Sequence, residues 1–132
     1  MTRKLVAIVA GLAFWFAIAL VAGLVIRATW PEYVSVAPTM AFTLSMKIAR
    51  LAIGAIATVA AGFVSARIAH SLSAGLIPGI LLLIFFIPEH VMLWDKFPIW
   101  YHLWFLVTLV PFTYMGNLMA RRRADTQTNR SQ

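Results

Sequence analysis

The chain of 132 residues contains no cysteine, which excludes disulfides, thiolate metal sites and thiol redox chemistry. Negative charge is scarce: Asp and Glu together number 4, against 11 Lys and Arg. Charged residues of both signs make up only 11%, while hydrophobic residues make up 62%. A soluble domain carries roughly 25% charged and about 45–50% apolar residues, and a chain this short cannot hide such an excess inside one water-bounded core. A glycine-rich phosphate loop is also missing, since Gly75 and Gly79 are isolated. The serines at 35, 45, 65, 71, 73 and 131 lie in neither a nucleophile elbow nor an SxxK context. Nothing here calls for an enzyme.

What the chain does have is hydrophobic length. A helix needs about 20 mostly apolar residues to cross a bilayer, and four runs approach that length: 5–26, 47–68, 72–88 and 97–119. The first lies between Arg3/Lys4 and Arg27 and exceeds the roughly 7–15 apolar residues of a cleavable signal, so it is read as an uncleaved span. Lys47, Arg50 and Arg67 mark the two ends of the second, their long stems covering the shortfall in apolar length. Pro31 and Pro38 are expected to keep the following loop out of a helix, and Pro78-Gly79 and Pro111 to kink the spans that contain them. Trp30, Tyr33, Trp100, Tyr101 and Trp104 suit interfacial anchors. Residues 88–98, PEHVMLWDKFP, read as a loop, and residues 121–132 as a disordered cytoplasmic tail, polar and without apolar periodicity. The expected fold is all-α: an integral membrane, antiparallel bundle of four transmembrane helices over residues 1–120.

Orientation follows from the basic residues. Arg3, Lys4, Arg67, Arg121, Arg122, Arg123 and Arg130 fall on one side of this topology. Arg27, Lys47, Arg50 and Lys96 fall on the other, together with Glu32, Glu89 and Asp95. The positive-inside rule then places both termini in the cytoplasm, with a bacterial inner membrane as the expected setting. Because the basic residues sit at the ends of apolar runs and not on one aromatic-studded face, the net charge of +7 is read as topology and not as a nucleic-acid footprint. The expected partners are the lipid bilayer and, since four spans make a thin wall, further copies of the chain or a larger membrane complex.

The second span has the clearest periodicity. Thr43, Lys47, Arg50, Gly54, Thr58, Ala61 and Ser65 recur every three or four residues and share one helical face. Small residues mark close helix approach in lipid, so Gly54, Thr58, Ala61, Gly62 and Ser65 are the expected packing seam, with Ile53, Ile56, Val59, Phe63 and Val64 toward lipid. The same face carries Lys47 and Arg50 into the bundle, where charges need partners. His102 on the fourth span, with Glu89, His90 and Asp95 in the adjoining loop, could meet them at one outer opening. Such a cluster suits an outward-facing polar pocket, or simply a set of salt bridges closing the bundle. Glu89, His90, Asp95 and His102 match no familiar zinc spacing, and no pattern calls for a metal or cofactor. Two functions remain open. One is a non-enzymatic membrane component or accessory subunit; the other is an oligomeric small-solute or ion transporter or channel.

Overall fold

The computed structural model describes residues 1–132. Its elements are α1 (Thr2–Thr29), α2 (Pro31–Val36), a 3-10 turn (Ala37–Thr39), α3 (Leu44–Ala69), α4 (Leu72–Met92) and α5 (Ile99–Arg130). There are no strands. Helices α1, α3, α4 and α5 are long and apolar enough to cross a membrane, and the protein is an all-α, multi-pass membrane protein.

The four spans pack as an antiparallel bundle. Helix α3 packs against all three others, most closely against α5 and α1, while α4 packs against α3, α5 and, more lightly, α1. Helices α1 and α5 therefore take opposite corners. Both termini lie at one end, where Arg3 Nε donates to the Ile68 carbonyl at 2.6 Å and so covers an open acceptor at the C-terminus of α3. That helix stops at His70, which adopts a left-handed conformation at φ 52°. Its other end is capped by Thr43, whose hydroxyl accepts from the Met46 amide. Large apolar side chains such as Leu20 and Leu24 of α1, Ile84 of α4 and Val107 of α5 face outward, which lipid rewards and water would not.

Small side chains decide how closely α3 approaches its neighbours. A Cβ built on Gly62 would overlap the backbone carbonyl of Thr113, and one on Gly116 would overlap that of Val59. The α3–α5 crossing is thus a backbone-to-backbone contact that only glycine permits on both sides. Gly54, Thr58, Ala61, Gly62 and Ser65 are all buried. Polar groups tie the same region together. Ser65 Oγ donates to the Ala7 carbonyl at 2.7 Å, and Asn117 Nδ2 donates to the Leu72 carbonyl at 2.9 Å. Of the bulky residues expected to face lipid, Ile56 does so at 64% exposure, but Ile53, Val59, Phe63 and Val64 are half-buried because α1 and α5 flank α3 on both sides.

Four expectations need correction. Pro31 opens a short helix, since at the first helical position its missing N–H has no partner to lose. Pro38 sits within the 3-10 turn. Glu89 and His90 belong to the last turn of α4, which continues through Pro88 to Met92, so the connecting loop is only 93–98. The polar residues after Ala120 are helical to Arg130, not disordered. They contain neither Gly nor Pro, and extending a helix already nucleated by packing needs no new nucleus.

Candidate functional site

At the end of the bundle remote from both termini, hereafter the far end, six side chains were candidates for one cluster. Four of them, Arg50, Glu89, His90 and His102, line a single cavity of about 240 Å³. Lys47 lies one turn beyond Arg50, half-buried and without a side-chain hydrogen bond, and Asp95 is exposed on the 93–98 loop; neither lines the cavity.

Arg50 lies six residues into α3, about 9 Å along the helix by its rise. The chain just before the Thr43 cap carries Phe42 back over it, the short α2 supplies Tyr33, and the start of α5 supplies Phe97 and Tyr101. Arg50 Nε donates to the Tyr101 hydroxyl at 3.2 Å and Nη1 to the Tyr33 hydroxyl at 2.7 Å. The guanidinium carbon sits 5.0 Å from the Phe42 ring centroid and 5.9 Å from that of Phe97. Tyr33, Phe42, Phe97 and Tyr101 stack in sequence at centroid distances of 4.9, 6.0 and 4.5 Å, forming a continuous aromatic wall. No carboxylate is among the partners of Arg50. Ring contacts offset about 0.5–2 kcal/mol of desolvation each, whereas a buried charge without a counter-ion costs several kcal/mol. The wall holds the guanidinium without neutralising it.

Beside it, His90 and His102 meet with their Nδ1 atoms 2.7 Å apart and their rings edge to face. His102 Nε2 faces the carbonyls of Phe97 and Trp94 at 3.2 and 3.4 Å. Carbonyls only accept, so His102 Nε2 must carry a proton. In the neutral pair, His102 Nδ1 therefore accepts and His90 Nδ1–H donates, leaving the lone pair of His90 Nε2 without a protein partner. This arrangement pins the 93–98 loop to the first turn of α5, and Trp94 completes it by stacking on the His102 ring at 4.9 Å. Because the two Nδ1 atoms are bonded to each other, no ion can lie between them, and no three His, Asp or Glu side chains come together around a common point.

Toward the middle of the membrane the lining becomes apolar. Phe105 stacks on His90 at 4.8 Å and meets Phe86 at 5.1 Å, and Phe86 in turn meets Trp15 at 5.1 Å. The cavity ends where Trp15 Nε1 donates to Thr58 Oγ1 at 3.0 Å, with Thr58 donating on to the Gly54 carbonyl. One side is open at Gly23 of α1, where an added Cβ would meet no atom within 4 Å. No serine or threonine lines the cavity, and the buried hydroxyls of Thr58, Ser65 and Thr113 are spent on backbone carbonyls.

No family model, curated protein or solved structure matches this chain. Its function is therefore argued from the cavity alone. Sequence reasoning singled out Arg50 and the two histidines but passed over Tyr33, Phe42, Phe97, Tyr101 and Trp15. The two tyrosines had the composition of interfacial anchors, and the signal that separates them is spatial: their hydroxyls point at one cation. The expected acid partners do not pair with Arg50: Asp95 is exposed on its loop, and Glu89, exposed on the last turn of α4, lines the cavity without bonding the guanidinium.

Proposed function

We propose that this protein is a non-enzymatic membrane component that holds a small amphipathic molecule in a cavity open toward the outer face of a bacterial inner membrane, with both termini cytoplasmic. The orientation comes from the basic residues: Arg3, Lys4, Arg67 and Arg121–Arg123 all gather at the end that holds the termini. The ligand reading is carried by one observation, Arg50 without an ion-pair partner on the wall of a mostly apolar and aromatic cavity whose other polar side chains are Glu89, His90 and His102. A binding pocket is typically such a cavity, mostly apolar with a few placed polar groups. Binding is preferred over conduction because the cavity has a floor at Trp15–Thr58, beneath which α3 and α5 pack backbone to backbone at Gly62 and Gly116. One copy of the chain thus offers a dead end, and transport would require other conformations or an assembly of copies.

Extraction of the purified protein followed by mass spectrometry of its small molecules tests this reading. The wild type is expected to retain an amphiphile near one per chain, and Gly23→Phe, which fills the cavity from its open side, to lose it at equal yield and monodispersity. The same retained molecules in both proteins would end the proposal.

A further inference from the structure

The cavity's polar end has a donor count that narrows the chemistry of what it holds. A guanidinium carries five N–H groups. Arg50 spends two of them, Nε–H on Tyr101 and one Nη1–H on Tyr33, leaving three. Each tyrosine oxygen is already accepting from Arg50, so each hydroxyl proton is still to be placed, and neither Tyr33 nor Tyr101 donates to any protein acceptor. The cluster therefore presents its remaining N–H and O–H donors around a formal positive charge, from three different elements: α2, α3 and α5. Nη2 of Arg50 has no protein partner, yet it is not among the fully enclosed polar atoms, of which Asn117 Oδ1 is the only unpaired one. It remains reachable.

We infer that the molecule held here carries an oxyanion head, a carboxylate or a phosphate, received by Arg50, Tyr33 and Tyr101, with its apolar body against Trp15, Phe86 and Phe105. This rests on the cavity being a binding site, as proposed above. A neutral acceptor such as an alcohol or ketone would fill some N–H groups but leave the charge beside the aromatic wall uncompensated. An oxyanion does both, and the planar guanidinium fork matches the two oxygens of a carboxylate or phosphate. A cationic head beside Arg50 would meet a like charge, and the acceptors that also line the cavity, Glu89 and His90 Nε2, are not partners of that guanidinium. Lys47, one turn farther out on the same face of α3, adds a second positive charge along the approach from the far end.

The test uses the full chain in nanodiscs of zwitterionic phosphatidylcholine, with binding to empty discs subtracted. Decanoate, decyl phosphate, decanol, inorganic phosphate and acetate are titrated at mildly alkaline pH. Decanoate or decyl phosphate is expected to bind at least about ten-fold tighter than decanol, the ratio one charge-assisted hydrogen bond supplies. Arg50→Gln is expected to reduce that preference to the decanol level. Should that variant fold poorly, the double variant Tyr33→Phe with Tyr101→Phe, which keeps both rings, is expected to weaken the anions several-fold and leave decanol unchanged. Inorganic phosphate binding as tightly as decyl phosphate would uphold the oxyanion site but identify a free anion as its occupant. Equal affinity for decanol and the anions in the wild type would overturn the oxyanion assignment while leaving the cavity reading intact. If none of the five probes binds, the cavity reading itself fails.

Discussion

A guanidinium lying against an aromatic wall keeps its charge while losing much of its water, and Arg50 is held in that state beside Phe42 and Phe97. Lysine could not replace it, because a compact ammonium cannot reach both tyrosine hydroxyls while stacking on two rings. His102 plays a different part. It is 1% exposed, and both ring nitrogens are engaged, one with His90 and one with the carbonyls of the 93–98 loop. Replacing it removes a donor from buried carbonyls and leaves His90 Nδ1–H unpaired, a loss of roughly 1–3 kcal/mol for each group stranded. His102→Ala is therefore expected to lower the unfolding midpoint in detergent clearly more than His90→Ala. Removing His90 strands only the Nδ1 of His102. Equal midpoints for the two variants would show that the loop carbonyls do not depend on His102.

Among the elements, α3 is the one that the others are built around. It packs against α1, α4 and α5, carries Arg50 toward the far end, and contributes Gly54, Thr58, Ala61, Gly62 and Ser65 to its contacts. In lipid no hydrophobic gain drives helices together, so close backbone approach and interhelical hydrogen bonds must hold them. At the α3–α5 crossing the atom facing Gly62 is the Thr113 backbone, which cannot swing aside as a side chain would. Gly62→Val is accordingly expected to cost about 1–3 kcal/mol or more from overpacking. Gly23→Ala, placed in open space, should be near neutral. Thermal unfolding of both variants in one detergent checks the contrast, and similar midpoints would contradict the crossing described here. Asn117 lies instead where α5 meets α4, with 0% exposure, bonded through Nδ2 to Leu72 while Oδ1 lacks a partner. Nothing else in the structure accounts for that unpaired oxygen.

For the whole molecule, the charge asymmetry between the two ends makes an orientation testable. Reporters placed after Gln132 and within the short turn at Ser71 should both respond as cytoplasmic, and one inserted near Asp95 as external. A cytoplasmic signal at Asp95 would invert the molecule and turn the cavity toward the cell interior. The cavity's contents would then be drawn from the other side, although the chemistry of Arg50 would be unchanged.

Run length and composition were enough to identify an all-α bundle of four spans, because solvation of whole segments depends on how many apolar residues follow one another and not on their neighbours in space. The three-and-four spacing of Gly54, Thr58, Ala61 and Ser65 was equally legible, since a helical face is a property of one segment. Helix ends were less so. Residues 88–92 and 121–130 look like loop and tail by polarity, but helix continues through them because propagation from a formed turn costs little. Which residues meet Arg50 was settled only by tertiary structure. Tyr33 and Tyr101 are 68 residues apart in the chain, and nothing in either local sequence separates a tyrosine anchoring the bilayer surface from one bonded to a guanidinium. That distinction depends on where α2 and α5 come to rest against α3. Their positions are set by packing among segments that no single stretch of sequence contains.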